Sequence, residues 1–215
     1  MTERAPYLAE QFDDLEQQRH ADIMGMWLFL ATELLLFGGV FMAFAVNRWF
    51  HPETFGEAAH ELDLVLGSVN TAILLTSGLT MALAERAMAV RRRGLTLALL
   101  GATLALGLVF LSIKGFEYYK EYSEQLLPIT GLAFGYTGAH PEHAQMFFNF
   151  YFVLTAMHAL HMAIGLAIIA VLMGIGQCWR QPDRFERQVR IVGLYWAFVD
   201  VVWVFVFTTL YLLRS

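Results

Sequence analysis

The chain of 215 residues contains a single cysteine, Cys178. That excludes an internal disulfide framework, a zinc or iron–sulfur centre built from cysteines alone, and the paired cysteines of a dinuclear copper centre. Charge is scarce as well. Asp, Glu, Lys and Arg are 15% of the residues, and they leave no basic face for nucleic acid. What is abundant is hydrocarbon: 58% of the residues are hydrophobic and the mean hydropathy is +0.53, against roughly 45–50% apolar residues in soluble domains. The composition argues against a water-soluble globule.

Five stretches lack charge for the ~18 or more residues that a helix needs to cross a ~30 Å hydrocarbon layer. They are 23–46, interrupted only by Glu33, then 64–84, 94–113 and 144–176, and finally 191–213, interrupted only by Asp200. None alternates apolar and polar residues as a barrel strand does. The expected fold is therefore all-α: a five-transmembrane-helix bundle with spans at about 23–46, 64–86, 94–118, 144–176 and 189–213. The whole chain, 1–215, forms one membrane domain. Residues 1–21 make an acidic, glutamine-rich arm, in which Phe12 and Leu15 favour structure, and 121–142, with Pro128, Gly131, Gly135, Gly138 and Pro141, reads as an external loop.

Basic residues set the orientation. Arg4, Arg19, Arg86, Arg91, Arg92, Arg93, Arg180, Arg184, Arg187 and Arg190 fall on the side of the N-terminus, whereas Arg48, Lys120 and Arg214 fall on the other. This asymmetry predicts a cytoplasmic N-terminus and an external C-terminus. The first span is too long for the apolar core of a cleaved signal and is expected to stay in the mature protein.

Ionisable residues at membrane depth are the informative ones, since each charged side chain at mid-helix costs about 2.5–3.5 kcal/mol on insertion scales. Glu33, His158, His161 and Asp200 lie near the centres of their spans, and their natural partners are one another. His158 and His161, three apart, project from one helical face. They read either as a metal pair or as two neutral imidazoles hydrogen-bonded to neighbouring helices, and no further ligands accompany them at metal-site spacing. Glu33 reads either as a proton-exchanging carboxyl or as a protonated side chain donating one interhelical hydrogen bond. Trp196, Asp200, Trp203 and Phe207 form a single helical stripe, expected to be an aromatic core around a satisfied aspartate. Lys114 and Glu117 read as a snorkelling ion pair at the external end of the third span, followed by an interfacial belt of Tyr118, Tyr119 and Tyr122. His20, His51, His60, His140 and His143 sit in polar segments and are expected to be solvated.

Four segments, taken together, carry a resemblance. GMWLFLATELLLFGG, LSIKGFEYYKEY, FYFVLTAMHALHMAIG and YWAFVDVVWVFVFTTLYLL are similar to subunit III of the haem-copper terminal oxidases, the cytochrome c oxidase subunit 3 family, in its short five-helix bacterial form. The resemblance implies that Glu33 matches the family's buried, carbodiimide-reactive glutamate, that His158 and His161 match its paired histidines, that Glu117 matches the glutamate of its external-end segment, and that Asp200 matches the aspartate of its W-H-F-V-D-V-V-W segment. It implies no catalytic residue, no metal and no cofactor in this chain. Haem and copper would reside in partner subunits, and phospholipid would be bound. The implied protein packs beside the catalytic subunit I in a bacterial plasma membrane, stabilises it and supports proton uptake from the cytoplasmic side. One departure stands out: Ala197 occupies the place where the family commonly has histidine. Three alternatives stay open on the residues alone, namely subunit III of a quinol oxidase or a nitric-oxide-reductase-associated homologue, a freestanding ion or solute carrier, and a membrane-embedded metal hydrolase.

Overall fold

The computed structural model describes residues 11, 14–128, 134–138, 140–178 and 182–213, and these contain helices but no strand. Six α-helices succeed one another: α1 (Leu15–Phe50), α2 (Pro52–His60), α3 (Leu64–Ala89), α4 (Arg93–Ser123), α5 (Pro141–Cys178) and α6 (Pro182–Phe207). The last continues into a π-helical end, Thr208–Leu212. All but α2 are long and apolar enough to cross a membrane, so each expected span is a helix. Arg4 and Phe12 of the expected arm lie outside the described residues, as do Gly131, Arg180 and Arg214.

The helix ends overrun the expected spans, because charge limits a span in oil but does not stop a helix in water. α1 begins at Leu15, where the Asp14 carboxylate accepts the Gln17 N–H at 2.7 Å. An oxygen of this kind satisfies one of the orphan donors of a first turn. The C-terminal part of the arm is thus the start of α1. At 36 residues this helix is about 54 Å long, so its ends stand outside a ~30 Å hydrocarbon layer. α4 runs on through its tyrosines to Ser123, and α6 starts at Pro182. A short amphipathic helix, α2, was not expected: Pro52 opens it, and Phe55, Ala58 and Ala59 are wholly buried beneath it.

α3 and α4 form an antiparallel hairpin whose tight connection puts Arg91 at a φ of 58°. α5 packs on α4, and α6 lies against α1, α3 and α5. α6 is therefore the central helix, with half of its most apolar window inside the bundle, against 17% for α1. Two tryptophans, Trp196 and Trp203, are buried at its middle. The Trp196 ring fits because Gly107 on α4 and Gly165 on α5 leave it space: a Cβ at Gly165 would stand 2.9 Å from its Cζ3 and one at Gly107 3.2 Å from its Cη2. Elsewhere the helices are apolar on their outer faces too, through Leu34, Leu35, Met42, Leu75, Leu108 and Val171, as expected of helices whose solvent is lipid.

Replacing Gly165 with Leu drives a side chain into the Trp196 ring, and overpacking of this kind typically costs about 1–3 kcal/mol. A lowered midpoint of thermal unfolding by circular dichroism in detergent is expected, and an unchanged midpoint would show that α5 and α6 do not approach this closely.

Candidate functional site: buried polar groups of the bundle

Glu33 on α1 and His161 on α5, 128 residues apart, meet with Oε2 3.0 Å from Nε2. The other ring nitrogen, Nδ1, stands 2.7 Å from the Met157 carbonyl oxygen. A carbonyl only accepts, so Nδ1 carries the hydrogen. Nε2 is then bare in a neutral ring, and its contact with a carboxyl oxygen requires one proton between the two groups. Either the carboxylic acid donates to imidazole or imidazolium donates to carboxylate; in both cases the pair holds one shared proton and no net charge. The Tyr195 hydroxyl donates to the His161 carbonyl at 3.0 Å, and the Phe37 ring covers the imidazole at 5.2 Å.

His158 behaves differently. It is 1% exposed, wedged between Phe110 on α4 and Trp203 on α6, and neither ring nitrogen has a hydrogen-bond partner. The expectation that both imidazoles bond to neighbouring helices thus holds for His161 alone, because one step of three residues turns the second ring towards a purely aromatic wall. The two histidines diverge and offer no convergent pair of nitrogens to a metal. Among the described residues no group of three or more His, Cys, Asp or Glu could hold a metal ion.

Lys114 and Glu117 are a larger correction. They do not snorkel: their side chains are 4% and 3% exposed, with Nζ 2.8 Å from Oε2. Lys114 also donates to the hydroxyls of Tyr151 at 3.1 Å and Tyr211 at 3.0 Å, filling all three donors of the ammonium. The second Glu117 oxygen accepts from the Tyr211 hydroxyl. The Tyr151, Trp203, Tyr118 and Tyr211 rings surround the ammonium at 5.0 to 5.6 Å from their centroids, near enough for cation–π attraction. Tyr118 is accordingly no member of an interfacial belt; its hydroxyl bonds Thr155 Oγ1 at 2.6 Å. Tyr119 and Tyr122 do face outward. Glu121, one turn beyond Glu117, is also buried, and its Oε2 has no partner.

The inward turn of Lys114 was legible in principle. Leu100, Thr103, Gly107, Phe110, Lys114, Glu117 and Glu121 are all buried on α4 and repeat at three or four residues, so the charged residues extend the packed stripe.

Asp200 on α6 is 8% exposed and its Oδ1 has no partner. The aromatic stripe is real, but the aspartate within it is unsatisfied. Its other oxygen lies over Gly78 on α3, whose missing side chain makes the room, and two turns further along α3 the Glu85 carboxylate lies over Gly193 of α6 in the same way. Glu85 was missed from the sequence because it lies at the end of its charge-free run. Outside the spans, the Tyr136 hydroxyl faces Glu57 at 3.5 Å; burial, and then the charges of Glu57 and Glu61, raise its pKa.

A bundle with five helices long and apolar enough to cross a membrane, and an outer surface of hydrocarbon, is the build of a multi-pass membrane protein. The family model described as cytochrome c oxidase subunit III matches residues 17–215, and the chain belongs to that family. It is 32% identical over 202 residues to a cytochrome c oxidase subunit 3 of Synechocystis sp., covering 90% of this chain and 77% of that one. A cytochrome bo(3) ubiquinol oxidase subunit 3 of Pseudomonas aeruginosa is 32% identical over 196 residues, covering 90% of this chain and 85% of its own. A haem-copper oxidase subunit I+III of Aeropyrum pernix is 31% identical over 193 residues, 87% of this chain and 22% of that longer one.

Replacing Lys114 with Met leaves Glu117 buried beside no cation, and breaking a buried pair from one side costs about 3–5 kcal/mol. The variant is expected to unfold in detergent well below the parent. The double change Lys114→Met with Glu117→Leu is expected to recover part of the loss, and no recovery would show that the pair itself is not what holds α4 to α5 and the chain's end.

Proposed function

We propose that this chain is the accessory, non-redox subunit III of a haem-copper oxygen reductase, with haem and copper carried by partner subunits and subunit I as its neighbour in a bacterial plasma membrane. The observation that carries the reading is the family match over residues 17–215, joined to a set of deep polar groups that are engaged in holding helices together. Relatives named for cytochrome c and for ubiquinol both resemble this chain, so the electron donor is a property of the partner subunits. In the aerobic chain the complex would reduce oxygen while this subunit stabilises the catalytic one.

In this reading the Glu33–His161 pair supports proton uptake. It holds one proton at membrane depth between α1 and α5, partly exposed at 17% and 12%, and can lose or regain it by rearrangement across a single 3.0 Å hydrogen bond. His158 and Glu117 act through packing. The asymmetry of the basic residues supports a cytoplasmic N-terminus and an external C-terminus. Phospholipid is supported by an apolar groove of about 450 Å³ between α1 and α6, lined by Phe37, Phe41 and Phe205 and ending at Arg48, a shape that suits an acyl chain below a phosphate.

Gentle detergent extraction of an affinity-tagged chain is expected to recover haem-bearing partners, visible in the absorbance spectrum; their complete absence would speak for a freestanding carrier. In the assembled complex Glu33→Gln is expected to change oxygen-reduction turnover by less than about tenfold, a barrier change under ~1.4 kcal/mol. Abolished turnover would refute a supporting role.

A further inference from the structure

Between α3 and α6 the bundle leaves an open cavity of about 280 Å³, lined by Leu75, Gly78, Glu85, Gly193, Ala197 and Asp200 together with the Trp196 ring. Asp200 is more than nine-tenths buried, yet Oδ1 has no hydrogen-bond partner, and the fully buried Trp196 indole N–H has none either. Glu85 stands at the far end, with Arg190 as the cation whose charge reaches it. Asp200 is thus a lining residue of the cavity whose carboxyl keeps an oxygen without a partner, on a face that otherwise meets lipid. Buried polar groups normally have partners, and within hydrocarbon water does not supply them.

The carboxylates are also seated deliberately. Gly78 and Gly193 are the two positions where any Cβ would strike the Asp200 or the Glu85 carboxyl group, so the backbone is cut back to hold an acid on each helix. Ala197 and Ala82 are small and exposed at the rim, which opens the cavity sideways rather than towards either membrane surface.

We propose that this α3–α6 cavity is the docking site for a transmembrane helix of the catalytic subunit, which inserts a basic or N–H-donating side chain, arginine, lysine or histidine, between Asp200 and Glu85. The occupant follows from charge complementarity: two acids and a free acceptor line the cavity, and a donor side chain entering across the rim completes Asp200. Acidic and basic groups from different chains pair in this way inside membranes because neither has another place to go. The inference rests on the accessory-subunit reading and adds to it the face by which this chain is held.

Site-specific photocrosslinking in the intact membrane complex tests it, with p-benzoylphenylalanine placed at Ala82 on the cavity rim, at Leu108 on the outer face of α4 and at Leu35 on α1. Crosslinks from position 82 to the haem-bearing subunit, with at least fivefold lower yield from 108, are expected. Ala82→Phe, which fills the rim without touching either carboxylate, is expected to leave the amount of inserted, folded chain unchanged and to lower haem recovered per tagged chain at least fivefold. Glu85→Gln with Asp200→Asn is expected to lower it as well. Crosslinks from 82 to lipid alone, or from 35 or 108 in place of 82, would overturn the docking face while leaving the accessory reading intact, as would undiminished haem recovery in Ala82→Phe. If the parent chain itself recovers no haem protein, the accessory reading falls first.

Discussion

Inside hydrocarbon a polar group has no solvent to fall back on, and this constraint orders the whole bundle. A charge brought to depth calls for a partner elsewhere in the bundle or in another protein. Lys114 shows the first solution in full. Its ammonium spends all three donors on Glu117, Tyr151 and Tyr211, which ties α4 to α5 and to the π-helical end after α6. Glu33 and His161 repeat the solution between α1 and α5 with a single proton. Asp200 shows the second solution in the reading proposed here, because its carboxyl keeps an oxygen without a partner and the residue lines a gap that this chain does not fill.

The same constraint explains why glycine matters at a few positions rather than many. Gly107 and Gly165 admit the Trp196 ring, while Gly78 and Gly193 admit carboxylates. Gly25, Gly38, Gly39 and Gly115, by contrast, face no neighbour at all. Small residues let helices approach in lipid, where no hydrophobic force drives them together. The small-xxx-small pair Gly39 and Ala43 is therefore not an internal contact, since nothing stands within 4 Å of a side chain placed at Gly39. Close approach in this bundle follows from what must be enclosed, an indole or an acid, and a spacing motif alone does not locate it.

That distinction sets what the amino-acid sequence made legible. The spans were legible because crossing a membrane demands a long charge-free run, and α1 and α3 to α6 each contain one. Their ends were not, since a helix such as α4 continues past its last apolar residue as far as its caps and hydrogen bonds allow. The meeting of Glu33 with His161 was foreshadowed by equal depth: two ionisable groups at one level of the membrane seek each other. The burial of Lys114 was misjudged because its distance from Glu117 along the helix fixes that the two are neighbours without fixing which way they turn. The turn is set by the stripe from Leu100 to Glu121, a property of the whole helix.

Depth and direction together separate the acids of this chain. Glu33, at 17% exposure, keeps a partner that can exchange a proton with it and a route, however narrow, to the outside of the bundle. Glu117 lacks both freedoms, since each of its oxygens is held, one by Lys114 and one by Tyr211, and releasing it would uncover a buried cation. Asp200 lies against α3 at Gly78, yet one of its oxygens has no partner. In the reading proposed above, the acid fixed from within stabilises the fold, the one that shares a proton moves it, and the one left open at a lateral gap selects a neighbour. Three carboxyls of equal chemistry differ in this reading only by where the five spans put them.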